Sequence, residues 1–281
     1  MPEIGECYTI AKVLDKEKET IKDIEVSPRF KKYILKSPLF DVKSLKKLKI
    51  EHVFAYGKSI WFEFVGKKER IILVSQLGMS GSWFLNDLGR TPKNDHFVIK
   101  GDGKTIRYSD PRMFGKMRFF PFKVDDPDWK EKVLENFSFG ADPVELSASE
   151  LTALISNRWK KSKDIKVLMM EQNVVFGLGN YLVSEILYDA RIHPETKGKD
   201  LTDAQFSNLS KSIKKIVNLA IKTGGHSFAE GFFHPDGSKG TMSKHIKVYG
   251  KDQDYCPEGH LIEKIEQAGR GTFYCPICQK K

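Results

Sequence analysis

The C-terminal end of the chain carries the feature that limits its folding most, two short pairs of potential metal ligands. The pairs are Cys256-Pro-Glu-Gly-His260 and Cys275-Pro-Ile-Cys278, and fourteen residues separate them. Three sulfurs and one imidazole at this spacing are typical of a zinc ribbon, in which each pair lies on a tight turn and the ion has four protein ligands. Because four ligands leave no open position for chemistry, we predict one structural zinc ion per chain.

The cysteines allow other interpretations. If His260 were a surface residue, three ligands would remain, but the shortness of the first pair favours four. Disulfide bonds are not expected, because an odd cysteine is left over and no signal peptide is predicted. The fourth cysteine, Cys7, lies in a predicted helix, where we expect a buried small side chain.

Composition narrows the class of protein. Hydrophobic residues make up 40% and charged residues 30% of the 281 positions, which is typical of a globular protein. This length exceeds what one hydrophobic core usually organises, so two domains are expected. No apolar run approaches the length of a membrane span or a signal sequence, so we expect a soluble, intracellular protein with no membrane partner.

The net charge of +10 is concentrated in two stretches. Residues 12–49 hold twelve basic and six acidic side chains, and residues 158–166 hold five and one, which accounts for the whole surplus. A local basic excess is expected of a nucleic-acid-binding protein, although a solvated lysine face would explain the first stretch equally well. The second stretch carries more weight because Trp159 lies among its cations.

The apolar pattern changes near residue 125. Residues 4 to about 18 have apolar positions at helical spacing. From residue 21 to about 122, short apolar segments are separated by Gly, Asp and Pro turn signals, as in Gly101-Asp102-Gly103, which is typical of β-strands. Many short strands with little helix between them predict a β-sandwich or barrel for residues 1–125.

Beyond a polar break at 125–128, the apolar spacing becomes helical. Helices are predicted at 148–155, 165–171, 179–190 and 203–223. The last is capped by Thr202 and ended by Gly224-Gly225, and the stretch 226–244 is predicted to be a loop. The fold class is therefore α+β, with a linker at 126–147, a helical domain at 148–250 and a zinc finger at 251–281.

The first residues, Met1-Pro2-Glu3, form a potential nucleophile with an acid beside it. If the initiator Met1 is removed, Pro2 becomes a terminal secondary amine. An α-amino group titrates near ~8, so part of it is unprotonated at neutral pH and can attack an electrophilic carbon to give a Schiff base. The alternative is a terminus that has no chemical role.

Segments spread over most of the chain together resemble one known family. They are Met1-Pro2-Glu3 with Glu6, Tyr56–Lys58, Gln76–Ser82, Tyr108–Gly115, Glu171–Pro194, Val248–Gly250 and the zinc ribbon. In this order and spacing they resemble the formamidopyrimidine-DNA glycosylase and endonuclease VIII family of bifunctional DNA glycosylase/AP lyases, from Met1 to Gln279. The resemblance implies a monomer that binds damaged DNA, excises oxidised bases and cleaves the abasic site by β/δ-elimination.

The resemblance also implies an architecture and a catalytic group. The architecture is an N-terminal β-sandwich with an N-terminal helix, a helical domain with a helix–two-turns–helix motif and a zinc-finger hairpin. Pro2 matches the nucleophile that attacks C1′ of the damaged nucleoside, Glu3 the acid/base at the sugar ring oxygen, and Lys58 an assisting lysine. A non-catalytic binder of damaged or structured DNA is the alternative, but such a protein has no need of all three residues.

Six further residues match DNA contacts of the family. Met79, Arg112 and Phe114 match the triad that fills the void left by the extruded lesion, although apolar pattern alone would place Met79 and Phe114 in the core. Residues that match phosphate contacts around the lesion are Lys166, Asn180 and Arg270.

The sequence departs from the family pattern at three places. Gly5 stands where proline is usual, which is expected to loosen the turn after the nucleophile, and Met113 replaces a common arginine. The finger has Cys-x3-His for its first pair, which leans toward the endonuclease VIII-like branch, whereas the 226–244 loop resembles the purine-capping loop of the formamidopyrimidine branch. The choice between oxidised purines and pyrimidines, and between duplex and single-stranded DNA, therefore stays open.

Overall fold

The chain forms two compact units. The computed structural model describes residues 2–37, 39–86, 92–226 and 234–281. One unit comprises Met1–Phe137 and Gly224–Thr241, and the other Ser138–Thr223 and Met242–Lys281. In this division most of the predicted 226–244 loop belongs to the first unit, and its residues 227–233 lie outside the described ranges. The predicted domain limits stay predictions.

The first unit begins with helix α1, Ile4–Leu14. Its buried side chains include Ile4, Cys7, Ile10, Ala11 and Leu14, the spacing expected of one helix face. Cys7 is fully buried, as predicted. The helix ends earlier than the predicted residue 18, because Asp15 turns away to accept a hydrogen bond from the backbone N–H of Val53 at 2.7 Å.

Two four-stranded antiparallel sheets follow. The strands are β1 Asp23–Val26, β2 Lys49–Tyr56, β3 Ser59–Val65, β4 Glu69–Gln76, β5 Ser82–Leu85, β6 Asp95–Lys100, β7 Thr105–Ser109 and β8 Lys116–Lys123. One sheet has the order β2-β3-β4-β8 and the other β1-β6-β7-β5. The ring of Trp83 on β5 lies 4.5 Å from that of Phe62 on β3 and 5.3 Å from that of Tyr108 on β7. The sheets therefore share one aromatic core, which confirms the predicted β-sandwich.

Several short elements of this unit were not predicted, among them two that bury apolar side chains. Residues Phe30–Ile34 form a single π-helical turn, and Trp129–Leu134 form helix α2 directly after the polar break. Phe30, Ile34 and Val133 are fully buried. An element of five or six residues contains too few apolar positions to show a period, so the pattern did not reveal either one.

The second unit contains four α-helices among its described residues. They are α3 Ala148–Trp159, α4 Ile165–Met170, α5 Asn180–Asp189 and α6 Asp203–Lys222. All four lie where they were predicted, within a few residues. Thr202 caps α6 through a reciprocal pair of bonds with Gln205, a capping box. Trp159 is fully buried, so its expected contribution to a nucleic-acid surface was wrong and it is a core side chain.

The zinc-finger hairpin completes this unit. Strands β9 Glu263–Gln267 and β10 Arg270–Tyr274 are antiparallel. The two turn residues, Ala268 and Gly269, have φ of 50° and 71°, because a two-residue turn of this type needs positive φ at both positions. No described helix is long and apolar enough to cross a membrane.

A buried carboxylate fixes the segment that leads to the finger. Glu185 on α5 is 1% exposed and accepts backbone N–H bonds from Lys247, Val248 and Tyr249 at 2.8 to 2.9 Å. Burial raises the pKa of Glu185, and the three N–H bonds oppose that rise. Three successive amides therefore depend on one side chain.

Replacing Glu185 by Ala should lower the free energy of unfolding by about 2–4 kcal/mol, because buried N–H groups lose their acceptor. Urea unfolding followed by far-UV circular dichroism measures the loss. Glu266→Ala is the control, because Glu266 is exposed and its removal should change stability by no more than about 0.5 kcal/mol. Equal stabilities of the two variants would contradict the assignment.

Candidate active site and anion-binding surface

Pro2 and Lys58 line one cavity of the first unit. Its volume is about 200 Å³, and its other lining residues are Gln76, Leu77, Gly78, Phe114 and Lys116. Pro2 and Lys58 are 56 positions apart in the sequence, and the fold brings them together. The cavity thus combines the candidate nucleophile with two ammonium groups.

Helix α1 holds the start of the chain in place. Glu3 is the N-cap residue, with φ −112° and ψ −169°, and is 3% exposed. Its backbone N–H donates to Glu6 Oε2 at 2.8 Å. Because an N-terminal N–H of a helix otherwise lacks a partner, this bond fixes the residue that follows Pro2.

Gly5 lies inside the first turn of α1 and is buried. Its carbonyl accepts a bond from Thr9 Oγ1 at 2.9 Å. Glycine costs about 1 kcal/mol relative to alanine inside a helix, but the bond between Glu3 and Glu6 closes the turn independently of residue 5. The turn after Pro2 is therefore helical despite the exchange of proline for glycine.

Lys58 is placed by a tight turn. Tyr56 and Ser59 are the last pair of strands β2 and β3, so Gly57 and Lys58 form a two-residue hairpin loop. Gly57 has φ 53°, which a glycine adopts without strain. Since both strands belong to the sandwich, Lys58 is carried on a rigid support.

Glu6 also holds the start of the predicted 226–244 loop. Its Oε1 accepts the backbone N–H of His226 at 2.5 Å. Gly224 and Gly225 both have φ 75°, and a Cβ on Gly225 would come within 2.6 Å of the Glu6 carboxylate. Glycine is therefore required for this close approach, and α1 supports both the N-terminus and the first residue of the loop.

Met79, Arg112 and Phe114 lie on exposed loops of the first unit. Met79 is 47% and Phe114 52% exposed, so the apolar pattern was wrong to suggest core positions. The guanidinium carbon of Arg112 lies 4.9 Å from the centre of the Phe114 ring. A Cβ on Gly78 would lie 2.6 Å from the backbone of Phe114, so the two loops touch through their backbones.

Asp110 connects these two loops, and sequence reasoning did not identify it. The residue is fully buried. Its Oδ1 accepts bonds from Ser80 Oγ at 2.6 Å and from the N–H of Arg112 at 3.3 Å, and its Oδ2 accepts the N–H of Gly115 at 2.8 Å. One carboxylate therefore binds Ser80, which follows Met79, Gly115, which follows Phe114, and the backbone of Arg112.

A second cavity, in the second unit, contains two cations. Lys166 and Arg270 line a volume of about 230 Å³, together with Val167, Met170, Glu171, Gln267 and Ala268. Lys166 is 1% exposed and has no ion pair among the described residues. Burial, followed by repulsion from Arg270, lowers the pKa of Lys166 to about 8. A buried cation next to another cation favours an anionic ligand.

Asn180 is tied to the same hairpin. It is the first residue of α5, and its Nδ2 donates to the carbonyl of Gly271 at 2.9 Å. Gln267 fixes the other strand of the hairpin, because its Nε2 donates to Asp164 Oδ2 at 3.0 Å. The fold thus brings Lys166 and Arg270 together in one cavity and bonds Asn180 to the residue that follows Arg270.

One glutamine side chain fixes the loop before α5. Gly177 has φ 113°, and its N–H donates to Gln172 Oε1 at 3.1 Å. The same glutamine donates to the carbonyl of Leu178 at 2.9 Å. The loop is therefore held in place directly before the N-terminus of α5.

The four predicted metal ligands form a cluster. The ligand atoms of Cys256, His260, Cys275 and Cys278 all lie within 4.8 Å of one another. The Sγ atoms of Cys256 and Cys278 are 3.9 Å apart, and His260 Nδ1 is 3.3 Å from Cys278 Sγ. Tetrahedral zinc–sulfur bonds of about 2.3 Å place sulfurs about 3.8 Å apart, so the cluster fits one structural zinc ion bound through Nδ1.

Comparisons with known proteins cover nearly the whole chain. Residues 1–117 match the formamidopyrimidine-DNA glycosylase N-terminal domain, residues 139–230 the formamidopyrimidine-DNA glycosylase H2TH domain, and residues 259–281 a zinc finger found in FPG and IleRS. A curated relative from Lactococcus lactis subsp. lactis (strain IL1403), a formamidopyrimidine-DNA glycosylase, is 34% identical over 284 residues, which covers 100% of both chains.

Two solved structures are also similar at 32% identity. The Lactococcus lactis Fpg in complex with abasic-site DNA has a TM-score of 0.82, covering 99% of this chain and 100% of that one. The wild-type enzyme from the same organism in complex with DNA containing an oxidized pyrimidine also has a TM-score of 0.82, covering 100% of both chains.

His260→Ala should weaken zinc binding by about 100-fold or more, because losing a group that only supports a ligand already costs about 10- to 100-fold. Elemental analysis should find one zinc ion per chain in the parent, and competition with a chromogenic chelator measures the affinity. Chelation should also unfold the hairpin, since the metal supplies folding energy. The control is His245→Ala at an exposed histidine, and equal affinities of the two variants would exclude His260 as a ligand.

Proposed function

The chain belongs to the formamidopyrimidine-DNA glycosylase family, whose members are DNA glycosylases for oxidised bases, and we propose that Pro2 is its nucleophile. The observation that carries this proposal is the cavity that Pro2 shares with Lys58. Glu3 follows Pro2 directly and is held by Glu6. An amine, a carboxyl group and an ammonium group are the functional groups that glycosylase and lyase steps through a Schiff base require.

The proposed reaction starts at C1′ of the damaged nucleoside. The free amine of Pro2 forms a bond to C1′ as the bond between C1′ and the sugar ring oxygen breaks, and Glu3 gives that oxygen a proton. The Pro2 nitrogen then loses its own proton, which the leaving base takes up, and the bond between C1′ and the base breaks as an iminium ion forms. Because the iminium withdraws electrons, the adjacent C2′ proton becomes acidic, and its removal expels the 3′ phosphate. A second elimination would expel the 5′ phosphate.

Lys58 acts in this proposal through its charge. Lys58 and Lys116 line the cavity that Pro2 lines. Their ammonium groups favour binding of the anionic backbone around the lesion.

Extrusion of the lesion is assigned to the exposed loops. Taking a nucleotide out of the stack costs a few kcal/mol. Met79 and Phe114 offer apolar surface to the unstacked neighbours, and Arg112 offers hydrogen bonds to the unpaired base. The bonds from Asp110 hold the loops before DNA binds, which reduces the ordering cost of the complex.

Lys166, Asn180 and Arg270 are the proposed phosphate contacts. Two of them line one cavity, and Asn180 is bonded to the residue after Arg270. The zinc ion supports this role, because it stabilises the finger whose hairpin carries Arg270. No metal chemistry is required of it.

The substrate class includes oxidised bases of more than one kind. The Lactococcus lactis enzyme bears the name of a formamidopyrimidine glycosylase and has been crystallised with oxidised-pyrimidine DNA. A panel of duplexes with 8-oxoguanine, formamidopyrimidine or a thymine-derived lesion would rank the preferences. A DNA substrate implies an intracellular location, in the cytoplasm with the nucleoid or in the nucleus. A non-catalytic DNA binder is the alternative, and the test of Pro2 below distinguishes the two.

Pro2→Gly should abolish most borohydride trapping on an abasic-site duplex, because the cyclic secondary amine is replaced. Glu3→Gln should slow base excision by about 10²- to 10⁴-fold, the usual contribution of a general acid, while some cleavage of preformed abasic sites remains. The two variants should therefore fail at different steps, which gel assays on lesion and abasic duplexes resolve.

A preparation that retains Met1 should be inactive, because Pro2 nitrogen is then an amide. If Pro2→Gly trapped and cleaved as efficiently as the parent, Pro2 would not be the nucleophile. If the parent itself bound lesion DNA but never trapped or cleaved, the protein would be a non-catalytic binder.

Binding should weaken as pH rises above about 8. Lys166 is charged below its pKa of about 8 and loses its proton above it, whereas phosphate binding requires the charged form. The DNA affinity should therefore fall by up to about tenfold per pH unit above that value, by proton linkage. Fluorescence anisotropy between pH 7 and pH 9.5 measures this decline.

Lys166→Ala should be weaker at pH 7, should show a smaller pH-dependent decline, and should have a salt slope lower by about 1, because one phosphate contact is lost. Arg270→Ala should lower the slope equally. Met79→Ala is the control: it touches no phosphate, so its slope should equal that of the parent while excision slows. A Lys166→Ala variant with the parent's slope would contradict the phosphate contact.

A further inference from the structure

A turn of the first unit presents four cations that the proposed reaction does not use. We define the basic turn as residues 29–36, and its cations are Arg29, Lys31, Lys32 and Lys36. All four are exposed, and none has an ion pair among the described residues. Tyr33 is also 42% exposed and lies below the Lys32 ammonium, 5.1 Å from ring centre to nitrogen.

The apolar residues of the turn force these charges outward. Phe30 and Ile34 are fully buried, and the ring of Phe30 stacks on Phe97 with 5.2 Å between centres. The segment forms a π-helical turn, a rare conformation that recurs at functional sites. The basic turn is therefore a rigid element of the sandwich surface and not a solvated tail.

The basic turn is linked to residues on both sides of the loop that bears Arg112 and Phe114, to Asp110 through His96 at one end and to Met117 of β8 at the other. Before the turn, Ser27 Oγ bonds to His96 Nδ1 at 2.9 Å, and His96 Nε2 donates to the carbonyl of Asp110 at 3.0 Å. At its other end, the N–H of Lys36 donates to the carbonyl of Met117 at 2.8 Å. The turn thus runs beside residues 110–117.

The direction of pairing places Arg29, Lys31 and Lys32 on the side of Leu35 that faces the start of β8, whereas Lys36 follows Leu35 and is bonded to Met117. Leu35 and Met117 form a parallel bridge, so residues before Leu35 lie toward the start of β8. That start is Lys116, which lines the cavity of Pro2. The positive surface therefore continues from the cavity along the basic turn.

We propose that the basic turn binds backbone phosphates of the DNA next to the base pair opened by Met79, Arg112 and Phe114, which extends the DNA footprint beyond the catalytic cavity. This inference rests on the proposed function. It assigns a DNA contact to Lys32 and Lys36, outside the phosphate-binding cavity of the second unit.

DNA fits this surface better than an acidic protein does. Duplex DNA carries one negative charge per about 1.7 Å of its axis, so four unpaired cations within eight residues match its charge density. The turn is also linked by hydrogen bonds to residues on both sides of the loop of Arg112 and Phe114, which in the proposed function contacts the duplex. An acidic protein partner would leave this linkage unexplained.

The test compares two double variants that remove equal charge. Lys32→Gln with Lys36→Gln changes the basic turn. The matched control, Lys67→Gln with Lys68→Gln, changes exposed lysines in the turn between β3 and β4. On β4, Glu69 pairs with Lys123 and Gln76 with Lys116, so the control lies about 24 Å along the sheet from the cavity end, at about 3.4 Å per residue.

Anisotropy on a lesion duplex with about 12 base pairs on each side, at several salt concentrations, measures log affinity against log salt. The basic-turn variant should have a slope lower than the parent by about 1–2, because one or two phosphate contacts are lost. The control should keep the parent's slope. Single-turnover excision at saturating protein should be the same for the control and the parent, since Lys67 and Lys68 do not line the cavity of Pro2.

Duplexes shortened on one side locate the contact. The difference between the basic-turn variant and the control should disappear when one flank is cut to about 3 base pairs, and persist when the other is cut. Equal slopes for the two double variants, with an active parent, would overturn this inference alone and leave an acidic protein as the partner to seek. A parent that neither binds nor cleaves lesion DNA would overturn the proposed function and this inference together.

Discussion

Buried carboxylates that accept backbone N–H groups hold the functional loops of this protein. A carboxylate removed from water needs donors, and a loop amide removed from water needs an acceptor, so each requirement satisfies the other. Asp110 joins the two triad loops, Glu6 joins the N-terminus to the start of the 226–244 loop, and Glu185 holds the segment before the zinc finger. The loops that we propose to contact DNA are therefore set in position by buried side chains.

Local signals made most of the fold predictable. The helices α5 and α6 have regular apolar spacing, and Thr202 with Gly224-Gly225 marked both ends of α6. The strands were visible as apolar segments between turn residues. Long-range contacts explain the differences: α1 ends early because Asp15 bonds to Val53, and the π-helical turn exists because Phe30 stacks on Phe97 of a distant strand.

The residues of the candidate site were not all equally predictable from the sequence. The spacing of its cysteines and histidine was enough to predict the zinc cluster, whose ligand atoms the fold brings together. Pro2 and Lys58 followed from the family resemblance, and their shared cavity depends on how α1 lies against β2 and β3. Asp110 was missed because its partner Ser80 is thirty residues away, and no local pattern marks a buried carboxylate as the support of two loops.

The exchange of one cysteine for His260 changes the electrical and chemical character of the finger. Three thiolates and a neutral imidazole leave the zinc complex with a single net negative charge, whereas four thiolates would leave two. Less negative charge then lies next to the hairpin that carries Arg270, the proposed phosphate contact. Imidazole also does not undergo the stepwise oxidation that converts thiolates to sulfenic and sulfinic acids, so a protein that works on oxidised DNA exposes one fewer ligand to the same oxidants.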